Sequence, residues 1–235
     1  MHLLLARLKN AWIRTRIDTD SLSSLAKANL EALDALDPSR PLRSCRFVAL
    51  DLETTGLDPK RDAILSVGAV RLAHGRIRLG DRFSEHVRPG GGIQPSSIRI
   101  HGIVPDMVAT ARPVRPVVRD LLAFVGGDIL VGHHIAFDLA FLNRVIRPCL
   151  GFPLQNWAVD TGRLARAVLS PSSADPFAGP RHDPTCLLDA LAGRLGVEIP
   201  GRHTAMGDAL ATAMVFQRMT ALLEERGDGS LRDVL

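Results

Sequence analysis

The segment Phe47-Val48-Ala49-Leu50-Asp51-Leu52-Glu53-Thr54-Thr55-Gly56-Leu57 constrains this chain most: an apolar run delivers two carboxylates two residues apart and then breaks at a glycine. In a strand, residues i and i+2 project from one face, so Asp51 and Glu53 stand side by side at a strand end. Two like charges that close raise each other's pKa unless a cation lies between them. The pair therefore asks for a metal ion. With no Cys or His beside it, hard oxygen ligands favour Mg²⁺ or Mn²⁺ over zinc. Taken alone, the segment is equally consistent with a strand end carrying two solvated acids.

Two further clusters carry complementary chemistry. Ile129-Leu130-Val131-Gly132-His133-His134-Ile135-Ala136-Phe137-Asp138 is another apolar strand followed by a turn glycine, two histidines and an acid. Asp138 opens a helix that continues through Leu139, Phe141, Leu142 and Val145. The third cluster is His203-Thr204-Ala205-Met206-Gly207-Asp208-Ala209, in which Thr204 is placed to cap the helix carrying Asp208. Residues five apart lie about 140° apart around an ideal helix. His203 thus belongs to the approach loop, and Asp208 to the helix.

In this order the three segments resemble the DEDDh group of the DnaQ-like 3′-to-5′ exonucleases, over about Arg46 to Leu223. The matching motifs are D-x-E-T-T-G-L, H-x-x-x-F-D and H-x-A-x-x-D-A, and Ile98-Arg99-Ile100-His101-Gly102-Ile103 looks like the family's I-H-G-I element. The resemblance implies a ribonuclease H-like α/β fold, a mixed sheet flanked by helices. It implies Asp51, Glu53, Asp138 and Asp208 as ligands of two Mg²⁺ ions, with Mn²⁺ able to substitute, and His203 as general base. Asp51 would bridge both ions, Glu53 and Asp208 would hold the one serving the attacking water, and Asp138 would help place the second. An imidazole of ordinary pKa, about 6.5, suits that base at neutral pH. The substrate implied is a single-stranded DNA or RNA 3′ end, DNA favoured, and the product a nucleoside 5′-monophosphate.

Thr54, Thr55, Gly56 and Leu57 follow the first acids, and the resemblance gives them the terminal nucleotide to hold, with His101, His133 and Phe137 as further contacts. Gly56 permits close approach of backbone to a phosphate or sugar; otherwise these residues form a capped turn. One position departs from the family pattern: His134 stands where many relatives carry Asn. A zinc site built on His133, His134 and His203 is disfavoured, because adjacent histidines splay apart and no Cys lies near to complete a tetrahedral set.

At 235 residues and 46% hydrophobic content, the chain can bury one full core plus an extension. No apolar stretch reaches the roughly 18 residues a membrane span requires, and the run after Met1 is too short for a secretory signal. Cys45, Cys149 and Cys186 are odd in number and widely spaced, the pattern of buried thiols in a reducing cytoplasm. The net charge of +4 is compatible with a polyanionic partner. Aromatic content of 4% without tyrosine argues against a long base-stacking platform.

The organisation expected is a helical extension over 1–40, an exonuclease domain over 41–223 and a short tail over 224–235. Apolar spacing from Trp12 to Leu36 predicts the extension, with packing on the core the default and self-association or a protein partner the other roles. Strands are predicted at Arg46–Leu52, Ala63–Leu72, Arg76–Val87, Asp128–Val131 and Asn156–Val159. Helices are predicted at Pro95–Ile100, Pro113–Phe124, Phe137–Arg147, Leu187–Leu195 and Thr204–Leu223. Ser170 to Pro184 reads as a mobile loop. The short tail predicts a stand-alone enzyme, or one recruited through the N-terminal helices, rather than a replicative proofreader. Two rival functions are a phosphodiesterase for short oligonucleotides or small nucleotides, and a non-catalytic module that binds nucleic-acid ends.

Overall fold

The computed structural model describes residues 2–18, 22–169, 186–199 and 201–235. The expected loop over 170–184 lies outside the described residues. Three antiparallel strands lead: β1 (Arg46–Thr54), β2 (Ile64–Ala73) and β3 (Arg76–Arg88). They are followed by the short helices α3 (Pro95–His101) and α4 (Pro105–Val108), then β4 (Arg112–Pro113) and α5 (Val114–Val125). Next come β5 (Ile129–Gly132), α6 (Ala136–Leu150), β6 (Ala158–Asp160), α7 (Thr161–Leu169), α8 (Leu188–Leu195) and α9 (Ala205–Glu225). The sheet order is β4-β3-β2-β1-β5-β6, with β5 parallel to both β1 and β6. This is the ribonuclease H-like mixed sheet flanked by helices.

Strand periodicity builds the two layers on the sheet. Phe47 and Ala49 of β1 face the core formed with α7, α8 and α9, whereas Val48, Leu50 and Leu52 face the core formed with α5 and α6. Asp51 and Glu53 continue the odd-numbered phase and so emerge on the α9 side. β5 pairs only with residues 47–49 of β1, so the acid-bearing end of β1 runs past it and stays open.

Gly68 lets α9 seat closely. A Cβ there would lie 2.2 Å from the Ala205 carbonyl and 2.4 Å from the Met206 nitrogen, all backbone atoms. Gly68 is also the Cα partner of Asp51 across the sheet. Helix α9 can therefore press its first turn against the strand pair that carries the acids.

The expected N-terminal helical extension is two helices, α1 (His2–Arg14) and α2 (Ser24–Ala32). Ser23 is the reason for the second start: its side chain accepts the Ala26 amide. Ile13, Ala26 and Leu30 pack into the α5/α6 core. Asn29 bonds both the Gln155 amide, at 3.0 Å, and the Asn156 side chain. The end of the chain also packs on the body, through a 3₁₀ turn (Leu231–Val234) with Leu231 and Val234 buried. Helix α7 is an addition to the expected elements. Asp160, the last residue of β6, accepts the Arg163 amide at 2.9 Å and starts it without any loop. Among the described residues, no helix is long and apolar enough to cross a membrane.

Candidate active site

The acids predicted from three separate segments meet at the open end of β1. Ligand atoms of Asp51 and Glu53, on β1, and of Asp208, on α9, all lie within 4.8 Å of one another. Thr204 caps α9 as predicted, its hydroxyl accepting the Gly207 amide at 3.1 Å. Asp208 is thereby fixed in the first turn and buried. Asp138, in the first turn of α6, is also buried, and its Oδ1 accepts the Leu52 amide at 3.1 Å, beyond the last residue of β1 that β5 pairs. Its carboxylate is thus tied to the backbone between Asp51 and Glu53.

Electrostatics state the need for a cation. Burial pushes the Asp51 carboxyl well above the usual range, reinforced by Asp138, Asp208 and Glu53. Glu53 is raised to about 7, by burial first and Asp208 second. Burial likewise raises Asp138 and Asp208. Asp208 Oδ1 is buried with no hydrogen-bond partner. Crowded, desolvated carboxylates with an orphaned oxygen fit a divalent ion held by hard oxygen donors. The donor set meets the requirement that the sequence set.

His203 lies in the loop immediately before the cap, exposed, with φ of 61°. It is near enough for its charge to act on both Asp208 and Asp189. His133 is neutral at pH 7: burial and then His134 push it down to about 4. Its Nδ1 lies 2.9 Å from the Thr161 hydroxyl, and its Nε2 is buried without a partner. Exposed His134 has φ of 57°, a left-handed conformation that Asn also tolerates. The position thus takes either residue without a change of backbone. Phe137 packs on Phe141, ring centroids 4.9 Å apart. His101 is buried, its pKa lowered by that burial, and its Nδ1 accepts the Ile103 amide at 3.0 Å.

The loop after β1 is built by its own side chains. Thr55 and Asp62 bond to each other at 3.1 Å, and Asp62 also accepts the Asp58 amide at 2.9 Å. The bare side of Gly56 faces that carboxylate, 2.5 Å from where a Cβ would stand, so the glycine makes room for Asp62. Thr54 is tied to the Gly56 carbonyl at 2.6 Å. Leu57, 83% exposed, projects freely from this fixed loop.

Three residues of the site were not singled out from the sequence. Asp160 accepts the Ile135 amide at 3.1 Å and so holds the turn between β5 and α6 that carries His133, His134 and Asp138. Arg202 donates to Asp208 Oδ2 at 2.5 Å, and its Nε donates to Asp189 on α8 at 2.7 Å. The one available sequence signal was the adjacency of Arg202 to His203.

A ribonuclease H-like sheet with acids gathered at the open end of a central strand defines the nuclease class. The chain belongs to the RNase_T exonuclease family, whose model matches residues 48–216, and thus to the DnaQ-like group that its motifs resemble. It is 40% identical over 190 residues to the DNA polymerase III subunit epsilon-like protein of Rhodobacter capsulatus, covering 80% of this chain and 25% of that protein. It is 32% identical over 188 residues to the PolC-type DNA polymerase III of Thermotoga petrophila, covering 80% of this chain and 13% of that protein. The chain therefore spans a quarter or less of the length of these relatives. Among solved structures, E. coli exonuclease I in complex with a dT13 oligonucleotide superposes with TM-score 0.63 at 19% identity, over 78% of this chain and 43% of that one. Exonuclease X in complex with 5′ overhanging duplex DNA gives 0.56 at 22% identity, over 81% and 97%.

Proposed function

We propose that this chain is a 3′-to-5′ exonuclease that releases nucleoside 5′-monophosphates from single-stranded nucleic-acid ends, DNA favoured. The observation that carries the reading is the convergence of Asp51, Glu53 and Asp208 within 4.8 Å, with carboxyl pKa values pushed upward by burial and mutual repulsion. Two Mg²⁺ ions, or Mn²⁺ in their place, would polarise the phosphate ester and activate water there. Asp51, Glu53, Asp138 and Asp208 are the residues to hold them. DNA is favoured because exonuclease I and exonuclease X were both solved with it.

His203 takes the proton from the attacking water. Its exposed loop position beside Asp208 leaves the imidazole free to turn toward the phosphorus, while the capped helix keeps the acid fixed. Thr54, Thr55 and Gly56 present a loop braced by Asp62, and Leu57 packs against the terminal base. His101, His133 and Phe137 complete the nucleotide contacts. The N-terminal helices serve the domain in cis, a role supported by the burial of Ile13, Ala26 and Leu30.

The test is digestion of 5′-labelled single-stranded DNA, single-stranded RNA and a dinucleotide with Mg²⁺, Mn²⁺ or chelator, beside Asp208→Ala. The expected result is a metal-dependent ladder shortening from the 3′ end, absent in the variant. Activity confined to the dinucleotide would replace the reading with a short-substrate phosphodiesterase. Tight binding of DNA ends without cleavage would replace it with a binding module.

A further inference from the structure

The acids of the site are not left without a cation, because the protein supplies one of its own. Arg202 forms a fork on Asp189, Nε to Oδ1 at 2.7 Å and Nη2 to Oδ2 at 3.2 Å, while its remaining nitrogen, Nη1, reaches Asp208 Oδ2 at 2.5 Å. One guanidinium thus bridges a carboxylate with a largely exposed side chain and one with a buried side chain. Its turn is tightly specified, since the residues on either side, Gly201 and His203, both have left-handed backbone angles.

We propose that Arg202 is a resident counter-ion that competes with metal for Asp208, with Asp189 as the anchor that retains the guanidinium when metal displaces it. The inference rests on the reading of Asp51, Glu53 and Asp208 as metal ligands. Arg202 occupies Asp208 Oδ2 while Oδ1 is buried and unpaired, so a divalent ion arriving at Oδ1 would share one carboxylate charge with the guanidinium. Two cations on one carboxylate repel each other, so metal entry favours release of the guanidinium from Asp208. The fork on Asp189 is planar and rigid, and the Asp189 side chain is largely exposed, so the guanidinium and Asp189 swing away from Asp208 as one unit. In metal-free protein the same contact sets a positive charge on the buried Asp208 carboxylate, whose ligand atom lies within 4.8 Å of those of Asp51 and Glu53.

The test uses the full chain, Mn²⁺ titration by calorimetry, and melting temperatures with chelator and with saturating Mn²⁺. Removing one positive charge at contact range should let Arg202→Gln bind Mn²⁺ on the order of tenfold more tightly. It should also melt lower than wild type in chelator and level with wild type in Mn²⁺. Arg202→Lys keeps the charge and should stay within about threefold of wild-type affinity, although it loses the fork. Asp189→Asn should bind more weakly, since the guanidinium is then held by Asp208 alone. If wild type binds Mn²⁺ and the folded variants match it, the exchange is wrong while the metal site stands. If wild type itself binds no Mn²⁺, the metal reading fails and the exchange with it. A melting loss in Arg202→Gln that is equal with and without Mn²⁺ would make Arg202 merely structural.

Discussion

Gly68→Ala adds one methyl group in the middle of the sheet and should disable the site from beneath. The new Cβ would stand 2.2 Å from the Ala205 carbonyl carbon and oxygen, and 2.4 Å from the Met206 nitrogen. Side chains could rotate away from such a clash, but these are backbone atoms of the first turn of α9. Restoring ordinary contact at 3.4 Å from 2.2 Å means lifting the helix start by 1.2 Å, or displacing β2 by as much. β2 is hydrogen-bonded on both sides, to β1 and β3, so the helix is the part that yields. Asp208 rides on that turn, and the acids on β1 do not follow it.

The magnitude follows from two effects. Overpacking of a buried site costs about 1 to 3 kcal/mol. A misplacement of about 1 Å in a positioned catalytic constellation costs roughly 10²-fold in rate. The assay is the digestion rate on labelled single-stranded DNA, with chemical denaturation and Mn²⁺ affinity measured on the same preparation. Gly193→Ala is the control: it lies in α8, has open space around it and sits at a helix-interior position, where alanine is favoured by up to about 1 kcal/mol. Gly68→Ala should lose rate and metal affinity beyond its stability loss, while Gly193→Ala loses neither. A Gly68→Ala protein with wild-type rate and metal affinity would refute the argument that this close approach sets the position of Asp208.

Three further outcomes follow from the site. Glu53 titrates near 4.3 when unfolded and is raised to about 7 by burial and Asp208 in the metal-free fold. Stability from this group is therefore lost as pH rises through about 7. Melting temperature in chelator should fall over that window, the gap to Mn²⁺-loaded protein should widen, and a flat chelated profile would contradict the site electrostatics. Asp51→Asn removes one of the mutually repelling acids, so metal-free protein at about pH 8 should melt no lower than wild type, while cleavage drops by roughly 10³-fold or more, the loss of several kcal/mol of metal catalysis. Thr204→Ala deletes the cap on Gly207 and should cost about 1 kcal/mol in urea denaturation, whereas Thr204→Gly should cost only a few tenths.

The parts of the site that were legible in the sequence are those whose geometry is local. Residues 47–54 carry their own phase, so a single strand assignment places Asp51 and Glu53 together and on the α9 side. The distance from Thr204 to Asp208 is likewise a property of one helix turn, and the cap and acid stand as predicted. β1, β2, β3 and β5 lie within about two residues of their expected limits for the same reason. In the extension, Ile13, Ile17, Leu22 and Leu25 keep a helical spacing across the break between α1 and α2, so the spacing shows helices but not where one ends. Ile13 is buried and Ile17, Leu22 and Leu25 are partly buried against the same core whether or not one helix carries them, and the capping hydroxyl of Ser23 is the local sign that a second helix begins.

Contacts between distant segments were not legible. Arg202 and Asp189 are 13 residues apart and sit on a loop and a helix, so no periodicity joins them. Asp160 reads as an ordinary strand end until the Ile135 amide, 25 residues away, is seen on its carboxylate. Gly68 lies between these cases. A glycine inside a β-branched strand signals that another backbone approaches closely or that the strand bulges, but the sequence does not say which, or from where. The β1–β2 register runs without a shift from Arg46 through Glu53, so Gly68 is not at a bulge there. What approaches is the helix that brings Asp208 to Asp51. The strand that carries no catalytic side chain thereby sets the distance between the two elements that do.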